Sequence, residues 1–251
     1  MATATPAAAT LSAPRGRLQP LRALRLLAGI LRDPDDTQRV FEFFRAVGGD
    51  DGPGHFARFL AVPSAQDLLA ARSDLVAALA DEAALGRLSE HTLGGAYLRT
   101  MRANGFAPSS LLEIRARVHA GEEREDETHE WFYARLNVMH DLWHVLTGYG
   151  TDPLGEAALI AFSHAQIPNR SFPLLLLGAV LKGPRSWRLT WPRYLWRAFR
   201  RGRATRLLTA APLEHMLALP LAEVRERLRV GAPTEWHPEG VWIGALDGGR
   251  A

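Results

Sequence analysis

Residues 131–169 read WFYARLNVMHDLWHVLTGYGTDPLGEAALIAFSHAQIPN. Phe132, Leu136, Met139, Trp143 and Leu146 recur at helical spacing. The pattern predicts a helix from about Thr128 to Thr147 that stops at Gly148. Gly148, Gly150 and Pro153 break the chain, which restarts as a helix at about Leu154 with Glu156 in its first turn. Two helices joined by so short a connection pack as antiparallel neighbours. That pair sets the fold class.

Outward from it, the chain stays helical. PLRALRLLAGILR (20–32) carries Pro20, suited to a first helical turn. TQRVFEFFRAVGG (37–49) follows a capping stretch and ends at Gly48. Ser64 introduces an Ala/Leu pattern expected to run as one helix through about Leu85, and TLGGAYLRTMRANG (92–105) ends at Gly105. Strand signals are nearly absent, since the one Asn-Gly, at Asn104-Gly105, follows a helix rather than joining β-branched runs. The expected architecture is all-α: a single helical domain over residues 20–240, a disordered tail over 1–19 and a coil over 241–251.

Composition narrows the function classes. The 251 residues are 47% hydrophobic and 23% charged, as in an ordinary globular protein. There is no cysteine, which excludes disulfides, thiolate metal ligands and a cysteine nucleophile. The formal charge is only +3, carried by 30 basic residues of which Lys182 is the sole lysine. So small an excess argues against nucleic acid as a partner, as does the acidic run GEEREDETHE (121–130), which reads as a solvated loop or first helical turn. No stretch reaches the ~18 apolar residues of a membrane span. Residues 1–20 lack an apolar core of the secretory kind. They carry Arg15 and Arg17 without acids, a pattern that suits either a transit segment or a disordered tail.

His140 and His144 stand four apart, within about 40° of each other on one helix face. Two imidazoles so placed can reach one divalent cation. Asp141 sits beside them, and the antiparallel return folds Glu156 toward the pair. Two imidazoles and two carboxylates make a sound shell for a divalent first-row metal. Burying them on an otherwise apolar face without partners would cost several kcal/mol; a metal or a hydrogen-bond network relieves that cost.

The arrangement His140-Asp141-x-x-His144, eleven residues, then Glu156 resembles the signature of the Coq4 family of ubiquinone-biosynthesis proteins. HTLGGAYLRTMRANGFAPSS (91–110) resembles that family's upstream glycine/tyrosine segment, and the stretch from Arg200-Arg201-Gly202 through Pro233 resembles its C-terminal end. The likeness covers roughly residues 34–240. Members often carry two basic residues ahead of the His-Asp pair; here Arg135 fits the first, and Asn137 stands where the second would be.

The resemblance implies metal ligands at His140, Asp141, His144 and Glu156, with Arg135 binding substrate. It implies Zn2+ as the ion, with Fe and Mn left open. The implied reaction is C1 decarboxylation of a polyprenyl-hydroxybenzoate, in some accounts coupled to hydroxylation at the same carbon. Zinc has no redox chemistry, so an oxidative version needs another electron route or another metal. Implied partners are a prenylated quinone precursor, a membrane surface, other quinone-biosynthesis proteins and a second copy in a homodimer. The implied location is the cytoplasmic face of a bacterial inner membrane, or the matrix side of the mitochondrial one.

A non-catalytic prenyl-lipid-binding subunit is the alternative. A metal-dependent hydrolase is a third reading, but the spacing of His129 and His164 fits no hydrolase pattern. A prenyl tail needs an apolar groove. SFPLLLLGAVL (171–181) is apolar nearly all round, which suits a buried core helix or a groove wall. RLTWPRYLWRAFRRGRATRLL (188–208) interleaves aromatics with arginines. It suits an interfacial helix on anionic lipid, and equally a basic face over a core aromatic stripe.

Overall fold

The computed structural model describes residues 18–33, 36–48, 52–105, 127–182 and 190–231. Most of the expected tail, all of the terminal coil and acidic residues 121–126 fall outside them. Among the described residues twelve α-helices follow one another: α1 (Pro20–Ile30), α2 (Thr37–Ala46), α3 (Gly52–Leu60), α4 (Pro63–Ala71), α5 (Leu75–Ala80), α6 (Glu82–Leu85), α7 (Leu93–Asn104), α8 (Glu127–Thr147), α9 (Pro153–Gln166), α10 (Ser171–Lys182), α11 (Thr190–Ala204) and α12 (Leu221–Leu228). Two 3-10 turns, Leu208–Ala210 and Leu213–His215, lie between the last two. Among the described residues there is no strand, only an isolated antiparallel bridge between Thr92 and Pro220. The protein is an all-α single domain.

Local chemistry accounts for the boundaries. Asp152 accepts hydrogen bonds from the amides of Leu154 (3.0 Å) and Gly155 (3.3 Å), and Pro153 supplies the preset φ of a first turn, so α9 starts there. Gly148, with φ +76°, closes α8 in a conformation side chains resist. The single helix expected from Ser64 to Leu85 is in fact three. Arg72 turns left-handed at φ 48°, and the Asp74 and Asp81 carboxylates each cap a new helix by accepting from Ala77 N and Ala84 N at 2.8 Å. Capping by those aspartates outweighs the continuous Ala/Leu propensity. Ser64 caps nothing; Pro63 opens α4, and the Ser64 hydroxyl donates to Ala210 O at 3.0 Å.

Helix α8 is the axle of the domain. Val138, Met139, Leu142, Trp143 and Leu146 are buried, packed with Leu159 and Phe162 of α9 and Tyr194 of α11. Each such side chain contributes roughly 1.5–3 kcal/mol on removal from water. α9 and α11 meet closely because Gly202 has no side chain: a Cβ there would overlap the Phe162 carbonyl oxygen and come within 2.9 Å of the Ala165 Cβ. Gln166 bridges the same seam, donating to Gly202 O at 2.6 Å and accepting from Leu208 N at 2.9 Å.

Two ambiguous segments separate cleanly. In α11, Trp191, Tyr194, Leu195 and Ala198 are buried while Arg193, Trp196, Arg200 and Arg203 are exposed, so most of the aromatic stripe is core and the basic face is solvated. In α10, Phe172 and Leu175 are buried, but Leu174, Leu177 and Leu181 are exposed. Its all-round apolarity therefore does not mean burial all round. Among the described residues no helix is long and apolar enough to cross a membrane.

Candidate metal centre

His140 and His144 project from α8 toward Glu156, which the return through residues 148–152 places in the first turn of α9. One ligand atom from each of the three lies within 4.8 Å of the others. Glu156 Oε1 stands 3.1 Å from His144 Nε2, and Oε2 stands 3.7 Å from His140 Nε2. The imidazole rings are 4.8 Å apart and nearly perpendicular. Expected ligand Asp141 is buried beside this group rather than within it, with its Oδ1 3.4 Å from His140 Nδ1. In that position a carboxylate orients an imidazole and raises the basicity of its other nitrogen.

The decisive atom is His144 Nε2. The other ring nitrogen, Nδ1, lies 2.9 Å from the Tyr149 carbonyl oxygen, which can only accept, so Nδ1 carries the proton. In the neutral ring Nε2 is then a bare lone pair. It is buried without a hydrogen-bond partner and faces a carboxylate oxygen. Two electron-rich atoms at that separation call for a cation between them, a proton or a metal. The donor set of two imidazoles and a carboxylate fits a divalent transition metal.

The electrostatics agree. Burial pulls the His140 imidazolium pKa down, but the Asp141 hydrogen bond and the Glu156 and Asp141 charges outweigh it, leaving the pKa above its ordinary 6.5. Burial pushes the Glu156 carboxyl up, yet the positive charge that His144 and His140 carry when protonated holds it below its ordinary 4.5. A raised histidine stabilises the fold below its unfolded pKa and loses that contribution as pH rises through the folded one; a depressed carboxyl does so above its unfolded pKa and loses it as pH falls. In metal-free protein this cluster therefore contributes most between about pH 4.5 and 6.5. Metal binding has the opposite sign at the histidine, because the ion must displace the proton. Metal affinity is expected to start falling at a pH above the ordinary imidazole value of 6.5 as pH drops, because the His140 imidazole takes its proton earlier than an unperturbed one; titration with a competing chelator at each pH measures it.

Several parts of the site carried no sequence signal. Arg225 donates to the carbonyls of Leu146 (2.8 Å) and Val145 (3.1 Å), and Arg201 donates to Thr147 O (2.7 Å), so two cations hold the C-terminal end of α8. Arg201 also binds Val230 O and lies 5.2 Å from the centre of the Tyr149 ring, steadying the residue whose carbonyl orients His144. Only the family resemblance at Arg200-Arg201-Gly202 pointed there. Gly155 lets the loop fold over the start of α9: a Cβ would stand 2.6 Å from both Gly150 N and Gly150 C. Gly155→Ala is expected to destabilise the protein by about 1–3 kcal/mol and to weaken metal binding by displacing neighbouring Glu156. Thermal unfolding with chelator and a metal titration check the two halves separately.

Arg135 does not join the group. It is buried, its two terminal nitrogens paired with Glu214 at 3.1 and 3.0 Å, and it donates to Ala211 O at 2.6 Å. The expected substrate-binding guanidinium is occupied by a structural carboxylate 79 residues away.

An all-α domain that converges two histidines and a glutamate from adjacent helices is a helical protein with a candidate divalent-metal centre. Residues 52–234 match the model of the family described as coenzyme Q (ubiquinone) biosynthesis protein Coq4. The chain belongs to the Coq4 family. It is 28% identical over 173 residues to the mitochondrial ubiquinone biosynthesis protein COQ4 homolog 1 of Culex quinquefasciatus, covering 69% of this chain and 60% of that protein. It is 29% identical over 179 residues to the mitochondrial COQ4 homolog of Danio rerio, covering 68% and 61%. The chain thus spans about three fifths of the length of these two relatives. A crystal structure from Nostoc punctiforme, described as a candidate ubiquinone biosynthesis protein, shares the fold with a TM-score of 0.61 at 22% identity, covering 86% of this chain and 100% of that one.

Proposed function

We propose that the protein acts in ubiquinone biosynthesis as a metal-dependent decarboxylase at C1 of a polyprenyl-hydroxybenzoate. The observation that supports this reading is the buried, partnerless His144 Nε2 aimed at Glu156, within a family described by its part in coenzyme Q biosynthesis. When bound, a divalent ion, Zn2+ in the first instance, supplies Lewis acidity toward a phenolate or carboxylate oxygen of the substrate. His140, His144 and Glu156 would hold it, with Asp141 orienting His140 or joining them as a ligand. In the reaction the bond from C1 to the carboxylate breaks, carbon dioxide leaves, and the electron pair stays on the ring until C1 takes a proton. In the hydroxylating version, dioxygen takes two electrons from the substrate and leaves as hydrogen peroxide, while a water oxygen takes the place of the departing carboxylate at C1.

The prenylated precursor lies with its tail in an apolar groove, and a membrane surface supplies it. A homodimer and other quinone-biosynthesis proteins complete the set of partners. The relatives named above are described as mitochondrial, which supports a mitochondrial location for a eukaryotic source; within that reading the protein sits on the matrix side of the inner membrane, and in a bacterial source on the cytoplasmic side.

The experiment is conversion of a prenylated hydroxybenzoate by purified, metal-loaded protein, with release of carbon dioxide as the readout. Turnover that falls in Glu156→Gln supports the reading. Tight binding with no conversion under any metal or oxygen condition would overturn it in favour of a non-catalytic lipid-binding subunit.

A further inference from the structure

The large apolar side chains left exposed among the described residues are not scattered. Leu18, Leu21 and Leu24 lie on or just before α1, and Leu174, Leu177 and Leu181 lie on α10. The seventh, Trp196, is on α11. Leu21 and Leu181 are more than 70% exposed, at 72% and 77%. On α10 the three leucines fall at i, i+3 and i+7, a single stripe. Helices α1 and α10 approach each other at Gly178, whose Cβ would stand 3.1 Å from the Leu31 side chain and 3.4 Å from that of Leu27. Beneath the surface α10 and α11 are linked through the His164 ring, whose centre is 6.1 Å from that of buried Phe172 and 6.0 Å from that of Phe199; exposed Trp196 stacks on Phe199 at 5.5 Å.

Charge is segregated on the same elements. The chain has 27 acidic residues, yet α1, α10 and α11 contain none. Their exposed cations include Arg22, Arg25, Arg193, Arg200 and Arg203. Arg22 is held by Glu42 of α2 at 3.5 Å. Exposed leucine stripes with a cationic rim match the two layers of an anionic lipid surface, acyl chains beneath phosphate. A second copy fits less well, since a two-fold interface would set the arginine rim against itself.

We propose that the leucine face of α1 and α10, rimmed by the arginines of α1 and α11, is the surface by which the protein lies on an anionic bilayer. This rests on the membrane partner in the reading above and narrows it to one face, away from the interleaved aromatics of α11, most of which are core.

The test is flotation of the full chain with vesicles of phosphatidylcholine alone and of phosphatidylcholine with phosphatidylglycerol. Wild type is compared with Leu21→Ser/Leu24→Ser/Leu177→Ser/Leu181→Ser, and with Arg193→Gln/Arg200→Gln/Arg203→Gln. All four leucines are exposed, so unfolding temperature and metal content should stay at the wild-type values. The proposal expects binding to anionic vesicles that weakens roughly tenfold or more in the leucine variant, and binding that becomes less sensitive to salt in the arginine variant. If wild type binds and the leucine variant binds equally, this face is overturned while the membrane partner stands. If wild type binds neither vesicle, the membrane partner itself falls. Loss of a concentration-dependent dimer in the leucine variant, with no vesicle binding by wild type, would make the face a self-interface and overturn the proposal.

Discussion

Replacing His144 by Ala is expected to abolish stoichiometric metal binding while leaving a folded domain. Of the three converging side chains, His144 is the most committed. Its Nδ1 is tied to the Tyr149 carbonyl, which leaves Nε2 as the acceptor, and that atom is buried 3.1 Å from Glu156. Loss of an outer-shell partner of a metal ligand typically lowers affinity ~10–100-fold; loss of the ligand itself should exceed that range. Stability has two opposing contributions. Removing a buried imidazole leaves a cavity, but it also removes a lone pair facing a carboxylate. Metal-free His144→Ala is therefore expected to unfold within a few degrees of metal-free wild type, while the metal-dependent rise in unfolding temperature disappears. Equilibrium dialysis followed by elemental analysis gives the occupancy. One ion per chain retained in a His140→Ala/His144→Ala double variant would remove the metal centre from this protein.

That site was legible in sequence because its information is local. A four-residue spacing puts two side chains on one face of any α-helix, and the punctuation at Gly148, Asp152 and Pro153 fixes both the end of α8 and the first turn of α9. The same locality explains α7, bounded by the Thr92 cap and by Gly105 at φ 65°. Where two local signals compete, periodicity alone misleads. Over 64–85 it predicts one helix, whereas the aspartate caps divide the segment into three. Helix α3, GPGHFARFL, was not expected, since Gly and Pro at its start read as loop. The supports of the site lie further away. Arg201 and Arg225 reach the last carbonyls of α8 from 54 to 80 residues along the chain, and no periodicity within a helix announces a tertiary hydrogen bond. Exposure of Leu174, Leu177 and Leu181 on α10 is likewise a property of what packs beside it, not of its own sequence.

The second large effect concerns Arg135, where sequence resemblance and structure assign different roles. Arg135 and Glu214 are almost entirely withdrawn from water, with side-chain exposures of 2% and 7%, and they meet through two short contacts. Removing one partner of such a pair strands the other as a buried charge, at a cost of about 3–5 kcal/mol. Glu214→Leu is therefore expected to lower the unfolding midpoint by roughly 6–20 °C for a domain of this size. Arg135→Met should do nearly the same. The double variant Arg135→Met/Glu214→Leu replaces the pair by apolar groups of similar volume and should recover much of the loss, because neither charge is then left unpaired. A substrate-binding arginine behaves otherwise. Its replacement would raise KM and leave the midpoint near wild type, and mutation of Glu214 would do nothing to rescue it. Thermal unfolding of the two single variants and the double variant, beside KM for a prenylated hydroxybenzoate, separates the roles. Full additivity of the two single losses in the double variant would mean that the pair is not energetically coupled, and Arg135 would return to the list of residues that meet substrate.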